Sequence, residues 1–444
     1  MRPKLLVASI VVLAAISATV HGAGAVEGAG SALTVRSALT SPPSDAGRPV
    51  VAGLLGVSCV GAQSCWAVGE YQRPGELTHP MATMLVNGRG VGPRAVTLPP
   101  SADPSGYASL VSVSCRTMGE CAAVGTYTSP ASGARSGNEL PMVAVSAGGR
   151  WQRAIAVVLP SDAARGPGAL GYLDSVACAR TADCVAVGSF TDRSGRARAF
   201  RVAISLRPPS GAVSRGVELP FARLSSVLGA GAEGASLLGV SCWAPSDCVA
   251  VGSASVGDGS RSVAITEETK HGRWLPEVAA AQPPTAGPAP SSSWLDAVRC
   301  PTPGTCVAVG GLQPAGSSTS AGLVTTRGPA GWSWAPLLTG IDDLQSVACV
   351  PGGSTCSATG VTTGYNDLTL TESTTAAVSN GTVWALPAPT TVRLPRPAGS
   401  APDVESLVAI DCPAATRCTA VGSVAEVGGH VIAYEHPDVT TFSR

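Results

Sequence analysis

The sequence predicts an all-β fold, a seven-bladed β-propeller with four antiparallel strands and one disulfide per blade. Three observations predict it. A unit built around a close cysteine pair recurs seven times; the units stand far enough apart for about four strands each; and turn formers punctuate the whole chain. Of 444 residues, 53 are glycine and 36 are proline, a density that suits a turn roughly every ten residues rather than long helices.

The chain begins MRPK and continues with the apolar run LLVASIVVLAAISATV, which ends near Ala23-Gly24-Ala25. A short positive region, a hydrophobic region and small residues at an A-x-A site read as a secretory signal peptide over residues 1–25, with a mature chain from near Val26. The rival reading is an uncleaved anchor, because the run is close to the shortest that spans a bilayer. Residues 26–50 form a lead, and 51–444 hold the repeats.

The seven units are LLGVSCVGAQSCWAVGEY from Leu54, LVSVSCRTMGECAAVGTY from Leu110, LDSVACARTADCVAVGSF from Leu173 and LLGVSCWAPSDCVAVGSA from Leu237, then LDAVRCPTPGTCVAVGGL from Leu295, LQSVACVPGGSTCSATGVT from Leu344 and LVAIDCPAATRCTAVGSV from Leu407. In each, L-x-x-V-x-C is a short strand rich in β-branched residues. Turn formers fill the space between the cysteines, and C-x-A-V-G returns as the second strand of a hairpin. A third strand follows a variable loop, as in MATMLV, MVAVS, RAFRVAIS and RSVAITEE. A Gly turn, often followed by tryptophan (Trp151, Trp274, Trp332, Trp384), leads to a fourth strand ending in Leu-Pro, as at Leu98-Pro99 and Leu159-Pro160. Small residues dominate the first two strands, as they must where blades converge on an axis, and both faces of those strands are apolar, as for a sheet sandwiched between two neighbours.

The seventh unit ends soon after HVIAYEH, whereas Ser31–Pro43 has strand character and no unit of its own. Residues near Leu33 to Leu39 are therefore expected to supply the outer strand of the last blade, with the C-terminal VTTF as the competitor.

Fourteen cysteines in seven close pairs behind a signal peptide are most simply seven disulfides: Cys59 with Cys65, Cys115 with Cys121, Cys178 with Cys184, Cys242 with Cys248, Cys300 with Cys306, Cys349 with Cys356 and Cys412 with Cys418. Zinc is the rival, but two thiols per unit with no histidine nearby fall short of three or four ligands. No metal and no cofactor are expected.

The repeated S-V-x-C-x5-C-x-A-V-G unit resembles the blades of secreted actinobacterial proteins of unassigned function, whose propellers are similar to the Asp-box, or sialidase-like, group. The resemblance covers nearly all of the chain after the signal peptide. Where that group has S-x-D-x-G-x-x-W between the third and fourth strands, this chain has SAGGRW at Ser146 to Trp151, KHGRW at Lys270 to Trp274 and SNGTVW at Ser379 to Trp384, each without the box aspartate. The resemblance implies the fold. The arginine cluster and Tyr/Glu nucleophile pair of sialidases are not placed on residues of this sequence, so activity does not follow.

Alternating strand direction sends the cysteine loops and Gly-Trp turns to one face of the ring, and the second-to-third loops and blade connections to the other. The second face varies most, over 126–140, 161–172, 221–236 and 276–294, and variable loops on a rigid scaffold are where binding is usually built. Beside the first strands on that face lie Tyr107, Tyr172, Asp174, Trp294, Asp296, Asp342, Asp343, Asp403 and Glu405. Aromatic and acidic groups around a channel mouth can hold a sugar or peptide, although aromatics capping blades and solvated loop acids have the same composition. Arg299 and Asp411 replace the small residue before the cysteine in two non-adjacent blades.

With 29 basic and 29 acidic residues there is no basic field for nucleic acid or an anionic membrane. His79, His271, His430 and His436 lack a paired nucleophile motif, and there is no G-x-S-x-G, H-E-x-x-H or phosphate-cradling loop. The expectation is a secreted or cell-surface monomer without catalysis, binding a glycan or protein through its variable-loop face. The alternative is a glycan-acting hydrolase or lyase that uses the mouth carboxylates.

Overall fold

The structure, a computed structural model, describes residues 34–443 apart from 48–49, 131–137, 167, 180–182, 208–210, 220–231, 245–246, 258, 260, 271, 276–277, 280–291, 367–368, 380–383, 386–403 and 429–430. The expected signal peptide, Asp403, His271 and His430 lie outside the described residues, as do the side chains of Glu405 and His436. The described residues form seven antiparallel sheets of four or five strands and no helix. The fold is thus an all-β, seven-bladed propeller with one disulfide per blade.

Each blade begins with an inner strand: Ala52–Gly61, Ala108–Thr117, Gly171–Cys178, Ala232–Ala244, Ser292–Thr302, Asp343–Cys349 and Val404–Ala414 for blades 1 to 7. Each inner strand touches the next, and the strand of blade 7 touches that of blade 1, so the ring closes. The leucine and the Val or Ile of every L-x-x-V-x-C unit are buried, from Leu54 and Val57 round to Leu407 and Ile410. Their clusters join neighbouring blades. Val124 and Val143 of blade 2, for example, pack with Leu173, Phe190 and Phe200 of blade 3. A fully buried leucine contributes about 1.5–3 kcal/mol, so apolar packing between blades is the main cohesive term.

The repeated glycine has a single cause. In all seven blades the register slips after the leucine, so that the residue at the next position is an unpaired β-bulge: Leu55, Val111, Asp174, Leu238, Asp296, Gln345 and Val408. The bulge drives the carbonyl before the leucine onto the glycine of A-V-G. A Cβ on Gly69, Gly125, Gly188 or Gly252 would lie 1.9 Å from that oxygen. Only glycine fits.

All seven cysteine pairs are bonded, from Cys59–Cys65 to Cys412–Cys418, and no cysteine is free. Each ties the first hairpin of its blade, and in blades 1 to 4 and 6 the two cysteines face each other directly in the strand register. By chain entropy a loop this small contributes about 2 kcal/mol. Disulfides of this kind persist in oxidising compartments.

An inner strand is also a sheet edge, and its outward N–H groups need acceptors. The preceding blade supplies them. Ser58, Ser114 and Ser241 each accept the N–H of the next blade's first cysteine, Cys115, Cys178 and Cys300, at 3.0 Å. One rung nearer the other face, Ser112, Ser175 and Ser346 accept from Val176, Val240 and Ile410 at 3.1–3.2 Å. At the junction of blades 7 and 1 this task falls to Asp411, whose Oδ2 accepts the Cys59 N–H at 2.7 Å. Arg299 reaches its Oδ1 from blade 5, with Nη2 3.4 Å away. The two departures from the small-residue column are therefore one feature: a carboxylate that latches the ring and the guanidinium that offsets its charge.

The lead segment closes the ring a second time. Thr34–Leu39 pairs antiparallel with the third strand of blade 7, Val431–Ser443, as that blade's outer strand. The C-terminal VTTF belongs to the third strand itself. Further along, Asp45 accepts hydrogen bonds from Tyr71 of blade 1 (3.0 Å) and from Arg73 Nε (2.8 Å). Burial pushes the Tyr71 phenol up to about 12. His79 is buried beside them with Nε2 2.6 Å from Glu76 Oε2, which places it in the packing of blade 1 rather than in solvent.

Neighbouring glutamates show how strand alternation links blades. On the third strand of blade 4, Arg261–Lys270, Glu268 holds Arg327 of blade 5 by two bonds, at 2.5 and 2.7 Å, and accepts the Trp332 indole N–H at 3.2 Å. Glu267 points the other way, is buried, and acts electrostatically on Arg201 of blade 3.

Candidate functional site

Antiparallel order puts the starts of the inner strands on the face of the second-to-third loops and blade connections. Here the residue before each leucine is Gly53, Ser109, Tyr172, Ser236, Trp294, Asp343 or Ser406 in turn around the ring. The bulge residues follow two positions later and are half-buried in every blade. The four apolar ones, Leu55, Val111, Leu238 and Val408, belong to no core cluster. Asp174 and Asp296 are bulge residues of blades 3 and 5, Gln345 is that of blade 6, and the other four are Leu or Val.

Among the described residues the mouth carries two polar groups. The first crosses blades 1 to 3. The Tyr107 hydroxyl donates to Glu70 Oε2 at 3.1 Å and lies 3.0 Å from Ser109 Oγ. The Tyr172 hydroxyl donates to Glu139 Oε2 at 2.5 Å. The pairs are neighbours, since Glu139 also weighs on Tyr107, and Asp174 and Tyr107 on Tyr172. Burial holds both phenols well above their ordinary range. The charge of Glu70 adds to this at Tyr107, and the bond to Glu139 adds to it at Tyr172. Both therefore stay protonated donors at neutral pH.

The second group lies across blades 5 and 6. Trp294 is buried, 9 % exposed, and its indole N–H donates to Asp343 Oδ1 at 2.9 Å. Space for this comes from Gly311, where a Cβ would lie 2.3 Å from the indole ring. Trp294 is thus a wall of the mouth, linking two blades, with its ring face covered. Asp296 and Gln345 are the bulge residues of the same two blades, and the Gln345 Oε1 atom is buried without a hydrogen-bond partner among the described residues.

Of the residues expected at the mouth, Tyr107, Tyr172 and Asp174 come together. Trp294 and Asp343 meet each other, with Asp296 on the neighbouring bulge. Glu405 is placed only by its backbone, in register with Val424. Glu70 and Glu139 escape a reading of loops, because both sit within strands: Ser64–Gln72 and Asn138–Ala147. A signal for Glu70 is present in the repeat itself. Its column, the residue after A-V-G or its equivalent, otherwise holds Thr126, Ser189, Ser253, Gly311, Val361 and Ser423, so one charge stands among small or uncharged residues.

Farther out on the same face, the second-to-third loop of blade 3 is tied by Asp192. It accepts from Ser194 N (2.8 Å), Ser194 Oγ (2.6 Å), Arg196 N (3.0 Å) and Arg198 Nε (2.7 Å). Those bonds hold its carboxyl far below the usual range against the opposing effect of burial. Beside it Glu218 is pushed up to about 7, by burial first and then by a hydrogen bond and repulsion from Asp162. Among the described residues no group of three or more His, Cys, Asp or Glu side chains is arranged to hold a metal ion.

No protein-family profile and no curated protein matches the sequence. Solved structures that resemble the fold include a protein of unknown function from Dyadobacter fermentans, at 9% identity over 92% of this chain and 99% of that one, with a TM-score of 0.47. A polysaccharide lyase of family PL25, an ulvan lyase, matches at 11% identity over 85% of this chain and 95% of its own, with a TM-score of 0.47. Trypanosoma rangeli sialidase matches at 10% identity over 79% of this chain but only 56% of its own length, with a TM-score of 0.44. At these identities no residue role passes from one chain to another.

Proposed function

We propose that this protein is a secreted binding propeller that holds a glycan at the mouth of its axis on the variable-loop face. The observation that carries the reading is the arc of two phenol–carboxylate pairs, Tyr107 with Glu70 and Tyr172 with Glu139, set on adjacent blades beside Asp174. Half-buried tyrosines offer ring surface to a sugar, and fixed carboxylates accept from its hydroxyls. Inner strands latched blade to blade hold these groups in place before any ligand arrives, which lowers the ordering cost of binding. A glycan array on the mature chain tests this. Tyr107→Ala with Tyr172→Ala is expected to abolish the signal while the melting temperature stays high. Full retention by the double variant refutes the site.

A second reading makes the same mouth catalytic, as a glycan hydrolase or lyase. The bond between Tyr172 and Glu139 favours it, because a carboxylate fixed by a phenol on the lining of a concave site is placed to act as a general base toward a ligand. New reducing ends or unsaturated products released from a glycan by the purified protein, and lost in Glu139→Gln, decide for this reading; an intact glycan that stays bound decides for the first.

A further inference from the structure

We infer that the ring is built to open at the junction of blades 6 and 7, and that Arg299 with Asp411 is a brace that holds this junction shut. Opening there parts Gln345 from Val408, the bulge residues of the two blades, and widens the mouth, whatever ligand the mouth takes. The first support is the core. In six blades the valine of A-V-G is fully buried and shares a cluster with the leucine and valine of the next blade's inner strand, as Val68 does with Leu110 and Val113. Blade 6 has Thr359 at this position, equally buried. Thr359 pairs in register with Ser346, whose Oγ accepts the Ile410 N–H, so both stand on the side of the sheet that meets blade 7. The Thr359 Oγ1 is buried without a hydrogen-bond partner. Thr83 and Thr325, as deeply buried, bond to the carbonyls of Val91 and Ser333 at 3.4 and 3.0 Å. A buried hydroxyl left unpaired favours any state in which water reaches it.

A second and separate support is the inner-strand column before the first cysteine. Ser58, Ser114, Ser241 and Asp411 carry acceptors there for the next blade's cysteine N–H. Blade 6 carries Ala348, and the Cys412 N–H turns to the Oδ1 of its own neighbour Asp411 at 3.0 Å. Ala177 of blade 3 and Arg299 of blade 5 bring no acceptor either, but in those blades Val187 and Val309 fill the core. Among the seven junctions only that of blades 6 and 7 lacks both the valine and the acceptor. Arg299 answers this by joining blade 5 to Asp411 of blade 7, skipping the blade between, with Nη2 3.4 Å from Oδ1. Its side chain is 42 % exposed, so salt weakens the brace.

Hydrogen exchange of the mature protein tests this at three like amides. Those of Val176, Val240 and Ile410 each donate to a serine of the preceding blade at 3.1–3.2 Å, and differ in the junction they cross. Ile410 is expected to exchange about tenfold or more faster than the other two. Thr359→Val, which restores the residue of the other six blades, is expected to remove most of that difference. Ala348→Ser supplies the missing acceptor and is expected to slow Ile410 as well, which keeps the test open should Thr359→Val fail to fold. Arg299→Ala is expected to speed Ile410 about two- to threefold, and added salt to speed it in the wild type but not in that variant. An Ile410 amide no faster than those of Val176 and Val240, or unmoved by both Thr359→Val and Ala348→Ser, overturns the opening junction. An Ile410 rate unmoved by Arg299→Ala overturns the brace. No ligand enters the measurement, so the glycan reading stands or falls apart from it.

Discussion

Removing the Asp411 carboxylate should open the ring at one place. Asp411 is 8 % exposed at its side chain and holds three partners: the Cys59 N–H at 2.7 Å, the Cys412 N–H at 3.0 Å and Arg299 at 3.4 Å. A hydrogen bond to a charged group is worth about 1.5–3 kcal/mol, and the two amides are left without an acceptor when it goes. Arg299 is 42 % exposed and its contact is long, so its direct share is about 0.5 kcal/mol. Asp411→Ala is therefore expected to cost about 3–5 kcal/mol. Asp411→Ser should recover most of that, because serines 58, 114 and 241 perform the same task at other junctions. Equilibrium urea denaturation gives the energies, and hydrogen exchange at the Cys59 amide tells whether the loss is at the junction. An Asp411→Ala variant within about 0.5 kcal/mol of wild type, or an Asp411→Ser variant no better than the alanine, would refute the latch.

Other outcomes follow from the same geometry. Gly125→Ala sets a methyl 1.9 Å from the Ser109 carbonyl; the bulge must give way, and a loss of about 3 kcal/mol or failure to fold is expected, whereas unchanged melting would show that the bulge is not fixed. Glu218 binds its proton more tightly folded than unfolded, so its share of stability is present at low pH and lost as pH rises from its ordinary value of 4.5 to about 7. The loss is about 1 kcal/mol once solvent screening is allowed for, and Glu218→Gln should flatten that part of a stability profile. Trp294→Phe keeps most of the ring but drops the N–H to Asp343, and about 1–2 kcal/mol should be lost by denaturation, with no loss counting against the wall assignment. Gly311→Ser, which restores the residue type of blades 3, 4 and 7, is expected to cost more than Trp294→Phe because it displaces the indole itself.

How much was legible in advance differs between scaffold and site. The L-x-x-V-x-C and C-x-A-V-G strings state their pairing directly: hydrophobic positions alternate toward the two blade faces, and a close cysteine pair, with five residues between in six blades and six in blade 6, makes facing partners. One-dimensional repetition is enough because every blade solves the same local problem. The mouth is another matter. Tyr107 and Tyr172 could be placed there by counting back from the leucine, but their partners come from different strands of the preceding blade: Glu70 from the second strand of blade 1 and Glu139 from the third strand of blade 2. No spacing along the chain expresses such a contact. For Trp294 the sequence supplied a position near the channel, and packing over Gly311 decided that the ring is buried.

By itself, then, the sequence determined the number of blades, the strand order within each and the cysteine partners, since these depend on local hairpins and on period-two burial. Only the tertiary structure decided why the A-V-G glycine recurs and what Arg299 and Asp411 do. The bulge is a mismatch between two paired strands, and the latch joins residues 352 positions apart. The bulge exists once a blade's first hairpin is paired, and the latch only once blades are placed side by side. Physically, a closed ring turns distant residues into neighbours at one junction, and that junction is where the repeat departs from its own pattern.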